Sequence, residues 1–195
     1  MIRYLFNKML LAFQKRYNYD IRYQQEILNN DVGAFLKFMG FQTLSSHAGN
    51  MPAGPLFAAR LRAIIREDCG PCTQLVVDMA LEAKLSRDNV RAIIESDLHQ
   101  LPEDMALVVE FTDLVLAHKP EAENLRQKII AIWGHKGLIA IAYGISSYRV
   151  YPALKYTLGY GQACQHINVG DITLAPHQPP NQPTTKSVKQ GDELC

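Results

Sequence analysis

Cysteine is scarce in this sequence, with four residues at positions 69, 72, 164 and 195 of a 195-residue chain. Cysteines so few and so unevenly spread exclude a secreted disulfide scaffold, and a reducing, cytoplasmic compartment is the expectation. An excess of either charge is missing as well. The 20 Lys plus Arg against 19 Asp plus Glu leave a formal net charge of +1, which excludes a general polyanion binder and gives no electrostatic case for nucleic acid. Long apolar runs are absent too. The longest, Gly137 to Ile145, has nine residues, where a spanning helix takes roughly 20, so no transmembrane segment is expected. The N-terminus lacks the marks of a signal peptide: Asn7 and Lys8 interrupt its apolar run, Lys15 and Arg16 follow, and no small-residue cleavage site appears. Strand-period alternation of any length and internal repeats are also lacking.

What is present is helical rhythm. Ile2, Leu5, Phe6, Met9, Leu10 and Phe13 recur at i, i+3, i+4, i+7, with polar residues opposite. A second helix is predicted from about Ile21 to Phe38, and the Ser, Gly and Pro content of 45–55 reads as a connector. The stretch 56–66 buries Leu61, Ile64 and Ile65 and leaves Arg60, Arg62 and Arg66 to water. A helix beginning near Asp68, read as its N-cap, carries Leu75, Val76, Met79 and Ala83, with Pro71 in its first turn. Ser86 caps a helix with Val90, Ile93 and Ile94. Pro102 opens one with Met105, Val108, Val109 and Leu116. Further helices are predicted over 121–133, ending at Gly134, and over 136–158. The last is apolar almost all round and is expected to sit centrally or in a subunit interface. Beyond Gly161 the prolines at 176, 179, 180 and 183 and the paucity of apolar residues predict a mobile tail without regular structure. The class is all-α, with an N-terminal helical extension (1–50), a helical domain (51–161) and a C-terminal tail (162–195).

The chemistry lies in Cys69-Gly70-Pro71-Cys72, at a predicted helix start. Free backbone donors and the positive end of the helix dipole favour a thiolate there. Two cysteines three positions apart close a disulfide with little motion, so that one attacks and the other resolves. Two other readings stand beside this one. The pair is half of a zinc site, but a second Cys or His pair at suitable spacing is wanting, with His99, His118, His135 and His166 scattered. Inert buried thiols are the plainer alternative. Glu67 is the nearest carboxylate able to move a proton, although an exposed first-turn carboxylate is its commoner role. His135 reads as a turn residue and Cys164 and Cys195 as bystanders. Trp133, Tyr143, Tyr148, Tyr151 and Tyr156 read as core or interface.

Cys-Gly-Pro-Cys is the tetrapeptide of thioredoxins, whose fold needs a strand before it and a sheet around it. With helices on both sides, RLRAIIREDCGPCTQLVVDMALEAKLSRDNV (60–90) instead resembles the alkylhydroperoxidase D and carboxymuconolactone decarboxylase superfamily, and EDMALVVEFTDLVLAHK (103–119) with WGHKG (133–137) continues the resemblance. It covers roughly residues 55 to 160. What it implies is an alkylhydroperoxidase D-like helical bundle assembled into a trimer or hexamer, with Cys72 attacking a peroxide and Cys69 resolving the sulfenic acid. Thioredoxin-like logic reverses those roles. The peroxidase branch commonly places histidine inside the motif, a second four residues after it, and glutamate upstream. This chain has Pro71, Val76 and Phe57 there. The expected function is a thiol-dependent antioxidant oxidoreductase acting on an organic hydroperoxide or a disulfide, recharged by an external thiol reductant, without bound metal or organic cofactor. The alternatives are a decarboxylase-type enzyme acting on a small lactone acid and a noncatalytic helical assembly protein.

Overall fold

A computed structural model describes residues 2–161 and 166–174. Its elements run α1 (Ile2–Tyr17), α2 (Arg22–Asn30), α3 (Val32–Ser45), α4 (Ala53–Ile65), α5 (Gly70–Glu82), α6 (Arg87–Glu95), a 3-10 turn (Leu98–Gln100), α7 (Glu103–Leu116), α8 (Ala122–Thr157), β1 (Ile167–Val169) and β2 (Ile172–Leu174). The fold is mostly helical, as the periodicity predicts. Ser86 caps α6 through its hydroxyl, which accepts from the Asn89 amide at 3.1 Å. Gly134, at φ 67° and ψ −176°, breaks α8 where the sequence ends one helix and starts the next. That region of backbone space belongs almost wholly to glycine.

Several expectations are corrected. The helix predicted over 21–38 is two helices, because Asp31 is extended and its carboxylate caps α3 on the Ala34 amide at 2.9 Å. The N-cap of α5 is Cys69, not Asp68, which sits in the left-handed region at φ 49°. Arg60 and Arg62 are not in water: Arg60 is buried and Arg62 half-buried, and only Arg66 is exposed. The reason is that α4 is the enclosed helix, buried continuously from Gly54 to Leu61 and packed between α5, α6, α7 and α8. For the last helix a place at the centre or in a subunit interface was expected, and the centre is not where it lies. Instead α8 buries Gly137, Ala140, Ile141, Gly144, Ile145 and Tyr148 and leaves Ile132, Ile139, Tyr143 and Val150 exposed.

Counting only uninterrupted apolar residues also understated α8. It is the one described helix long and apolar enough to cross a membrane by length and composition, and a third of its apolar window is buried in the fold.

The expected structureless tail holds a hairpin. β1 and β2 pair antiparallel, Ile167 with Leu174 and Val169 with Ile172. Ile167 and Val169 are buried in the main core. The Gln74 side chain of α5 serves as a third strand in miniature, its amide nitrogen donating to the Asn168 carbonyl at 3.0 Å and its oxygen accepting from the Asn168 amide at 2.8 Å. Strands of three residues carry too little alternation to be read from sequence. Residues 162–165 and 175–195, with Cys164, Cys195 and the proline-rich stretch, lie outside the described residues.

Two apolar clusters organise the molecule. The larger is built from α4 to α8 and β1 and contains both Cys69 and Cys72. The smaller collects Leu10, Tyr19, Ile21, Tyr23, Leu28, Phe35 and Phe38 from the first 50 residues, and Leu75 of α5, Tyr151 and Leu154 of α8 and Leu158 just after it pack against it. The N-terminal segment therefore adheres to α5, which carries Cys72, and to the C-terminal part of α8.

Candidate functional site

Gly70 and Pro71 open α5, so Cys72 is its third residue, while Cys69 is the extended residue before it. The Cys69 carbonyl accepts from the Thr73 amide at 2.9 Å and from the Thr73 hydroxyl at 3.1 Å, which fixes the turn. Cα atoms 5.2 Å apart bring the sulfurs together, and the two form a disulfide. Each cysteine is about 1% exposed. Their surroundings differ, however. Cys72 lines a cavity of about 570 Å³, and Cys69 does not.

The cavity lies between the N-terminal segment and the main helical domain. Phe13, Tyr17, Tyr19, Tyr23 and Gln24 form one wall. Phe57, Arg60 and Ile64 of α4, Leu75, Val76 and Met79 of α5, and Tyr148 and Tyr151 of α8 form the others. At the cavity wall Arg16 is ion-paired with Glu82, whose other oxygen accepts from the Tyr17 hydroxyl at 2.5 Å. The apolar Phe57 and Val76 thus face the same space as Cys72. The volume lies within the range of ligand pockets, and the lining of aromatic and aliphatic side chains with a few polar groups is their usual composition.

Of the residues singled out from sequence, Cys69 and Cys72 come together and Glu67 stays apart. The Glu67 carboxylate accepts from Arg149 Nε at 2.5 Å and borders a separate shallow hollow with Ser146, Val150 and Thr157. His135 is exposed on α8. Tyr148 and Tyr151, read as packing residues, both pack and line the cavity, whereas Tyr143 and Tyr156 are exposed. Among the described residues no cluster of three or more His, Cys, Asp or Glu is arranged to hold a metal.

Sequence reasoning missed Tyr19. Its hydroxyl donates to Cys72 Sγ at 3.9 Å. Burial holds the phenol well above its ordinary pKa, with Tyr23 adding to the shift, so Tyr19 keeps its proton at neutral pH and remains a donor. A donor to the charged form of an acid lowers that acid's pKa, which opposes the cost of ionising a thiol in an apolar wall. The only signal in the sequence is the density of tyrosine at 17, 19 and 23, which by itself reads as packing. Tyr19→Phe is expected to raise the Cys72 thiol pKa and slow alkylation of the reduced protein at pH 7 by about fivefold to tenfold, the worth of one hydrogen bond. The deficit should close at alkaline pH, where both proteins are thiolate; an unchanged pH profile would exclude the role.

Behind Tyr19, Lys155 is 1% exposed and its Nζ has no hydrogen-bond partner. The ammonium lies 4.7 Å from the Tyr19 ring centroid and 5.9 Å from that of Tyr23, a cation–π placement. Desolvation lowers its pKa, with Asp20 opposing and Arg22 adding to the shift. A lysine with a lowered folded-state pKa binds fewer protons folded than unfolded between that value and its ordinary 10.5. Stability therefore rises with pH across that window, and the cost is full below it. Relative to Lys155→Met, the wild type should gain thermal stability between pH 7 and pH 10, the tyrosines cancelling in the comparison. Parallel melting curves across that range would contradict it.

Compared with known proteins, the chain matches no family model, and no curated protein or solved structure matches it.

Proposed function

We infer that the protein is a thiol-dependent oxidoreductase that reduces organic hydroperoxides by cycling Cys69 and Cys72 between dithiol and disulfide. The observation that carries this reading is the asymmetry of the pair: Cys72 borders a ligand-sized aromatic cavity and receives a hydrogen bond from Tyr19, while Cys69 sits behind it at bonding distance. This is the arrangement an attacking and a resolving thiol require.

The Cys72 thiolate attacks the outer oxygen of R–O–O–H. An S–O bond forms, the O–O bond breaks, and the alkoxide takes up a proton and leaves as the alcohol. The Cys69 thiol then attacks the resulting sulfenic sulfur, an S–S bond forms, the S–O bond breaks, and water leaves. An external dithiol reduces the disulfide by exchange and is itself oxidised, which restores two thiols. Helix α5 favours the Cys72 thiolate through its N-terminal dipole. Tyr19 supplies a hydrogen bond where the peroxidase branch of the resembled superfamily uses histidine. Glu67, held by Arg149, can serve as a carboxylate near the motif, but its role in this reading is secondary to that of Tyr19. The chemistry calls for no metal or organic cofactor.

The same resemblance implies a homo-oligomer, a trimer or hexamer. The exposed Ile132, Ile139, Tyr143 and Val150 on α8 are an apolar surface suited to a second copy of the chain.

Stopped-flow oxidation of the reduced protein by an alkyl hydroperoxide, with thiols counted afterwards, tests the reading. Fast loss of two thiols per chain is the expected result; oxidation no faster than that of free cysteine would overturn it.

A further inference from the structure

Arg60 is the unusual group in the cavity. It is 7% exposed and lies on the enclosed helix α4. Ionised side chains so deeply buried are ordinarily paired with an opposite charge, yet among the described residues no carboxylate pairs with it. Its partners are neutral. Nη2 donates to the Ser45 carbonyl at 3.0 Å, and the guanidinium carbon lies 5.2 Å from the Phe57 ring centroid and 5.3 Å from that of Tyr148. Nε has no hydrogen-bond partner. The other arginine of the cavity, Arg16, is already neutralised by Glu82. The cavity therefore presents one buried positive charge with donor capacity left over, in walls that are mostly aromatic and aliphatic, with Gln24, Gln42, Ser45 and Ser46 as neutral polar members. Gln24 adds a single acceptor: its Nε2 donates to the Tyr23 hydroxyl at 3.0 Å, while its Oε1 is buried without a partner.

A ligand that completes these groups is an amphipathic acid. A carboxylate satisfies the free face of a guanidinium through charge-assisted hydrogen bonds, and the low local dielectric strengthens them. The rings and the side chains of Leu75 and Met79 take an apolar body. A hydroxyl or hydroperoxide O–H has Gln24 Oε1 to donate to.

We propose that this cavity binds amphipathic carboxylic acids, with the carboxylate on Arg60 and the apolar body along the aromatic walls beside Cys72. The substrates are then carboxylate-bearing organic hydroperoxides rather than hydrogen peroxide or small neutral ones. The binding claim stands on the cavity alone; the substrate claim rests on the peroxidase reading above.

The test begins without any variant. Isothermal titration of the oxidised wild-type protein with octanoate and with octan-1-ol compares two ligands of equal chain length that differ in the charged group. Octanoate should bind at least about tenfold more tightly, the least that a hydrogen bond to a charged group contributes. In Arg60→Gln the advantage should vanish and octanol binding persist; Arg60→Lys, which keeps the charge but not the planar fork, should retain part of it. Equal binding of acid and alcohol, or no binding of either, would overturn the proposal even if Arg60→Gln failed to fold.

Turnover separates the two claims. In steady-state assays with a thiol reductant, Arg60→Gln should lower the ratio of kcat/KM for a fatty-acid hydroperoxide to that for tert-butyl hydroperoxide about tenfold or more. Octanoate binding that depends on Arg60 without any peroxidase activity would uphold the anion site and refute the peroxidase reading. Peroxidase activity without preference for the acid would uphold the peroxidase reading and overturn the substrate claim.

Discussion

Cys72→Ser is expected to abolish peroxide-dependent chemistry, whereas Cys69→Ser should stop it half-way. A serine hydroxyl at neutral pH is essentially un-ionised, and the Glu82 carboxylate of the cavity wall is already held by Arg16 and Tyr17, so the rate of reaction with an alkyl hydroperoxide should fall by at least on the order of a thousandfold. In Cys69→Ser the first step survives, because the thiol that lines the cavity and receives the Tyr19 hydrogen bond is still present. Without a resolving thiol the sulfenic acid persists, and dimedone should trap one equivalent on Cys72. Peroxide should then carry it on to sulfinic acid. The opposite pattern, trapping on Cys69 in Cys72→Ser, would assign the roles as in thioredoxin-like proteins. It would require the oxidant to reach Cys69, which does not border the cavity. Both cysteines are buried in the main core, so circular dichroism of each variant must match wild type before its kinetics are compared.

The cysteine pair was legible because its signal is local: four consecutive residues and a helix start. The cavity around it was not, because it is assembled across the chain. Tyr19 reaches Cys72 over 53 positions, and Tyr151 donates to the Ser45 hydroxyl at 2.8 Å over 106. Nothing in the spacing of tyrosines at 17, 19 and 23 distinguishes a packed aromatic cluster from a cavity wall. Treating residues 1–50 as an extension also concealed its contribution, since one wall of the cavity comes from it. Glu67 shows the converse: two residues from Cys69 in sequence, it turns to Arg149 and borders another hollow.

Helix periodicity located the elements and failed on their environments. In α4 the pattern put Leu61, Ile64 and Ile65 inside and the arginines outside, as it does for a helix lying on a surface. A helix enclosed on all sides obeys no such division, and its arginines must find partners within the fold. Arg60 takes a carbonyl and two aromatic faces. In α8 the near-continuous apolarity suggested a helix at the centre or in a subunit interface. The glycines and alanines that make it apolar are the residues that let it lie close against α4, and Gly144 faces Arg60 and Leu56 of that helix; the larger Ile132, Ile139 and Val150 point away.

Arg62 joins three helices, and its loss is expected to cost more stability than any other single charged side chain described above. Nε and Nη2 donate to the two oxygens of Asp113 on α7 at 2.8 and 2.9 Å, a bidentate pair. Nη1 donates to the carbonyls of Ile93 and Ile94, both at 3.1 Å. Those carbonyls belong to the last turn of α6, which stops at Ser96 in the left-handed conformation, and the final carbonyls of a helix need partners from outside it. The Ser96 hydroxyl closes the network on Asp113 at 3.2 Å. The pair is partly shielded, with side-chain exposures of 12% for Arg62 and 32% for Asp113. Arg62→Met keeps the aliphatic stem but strands a shielded carboxylate and removes a donor from two carbonyls, of which that of Ile93 keeps the Ser96 amide at 3.3 Å, at a cost of about 2 to 4 kcal/mol. For a chain of this size that corresponds to a fall in Tm of roughly 5 to 12 °C. Arg66→Met, on the exposed side of the same turn, should change stability by less than about 0.5 kcal/mol. In Arg62→Met with Asp113→Leu the unpaired charge is gone, so much of the loss should be recovered, leaving chiefly the lost hydrogen bonds to the carbonyls of α6. A double variant as unstable as the sum of its parts would mean that Arg62 acts through those carbonyls alone and that the ion pair is incidental.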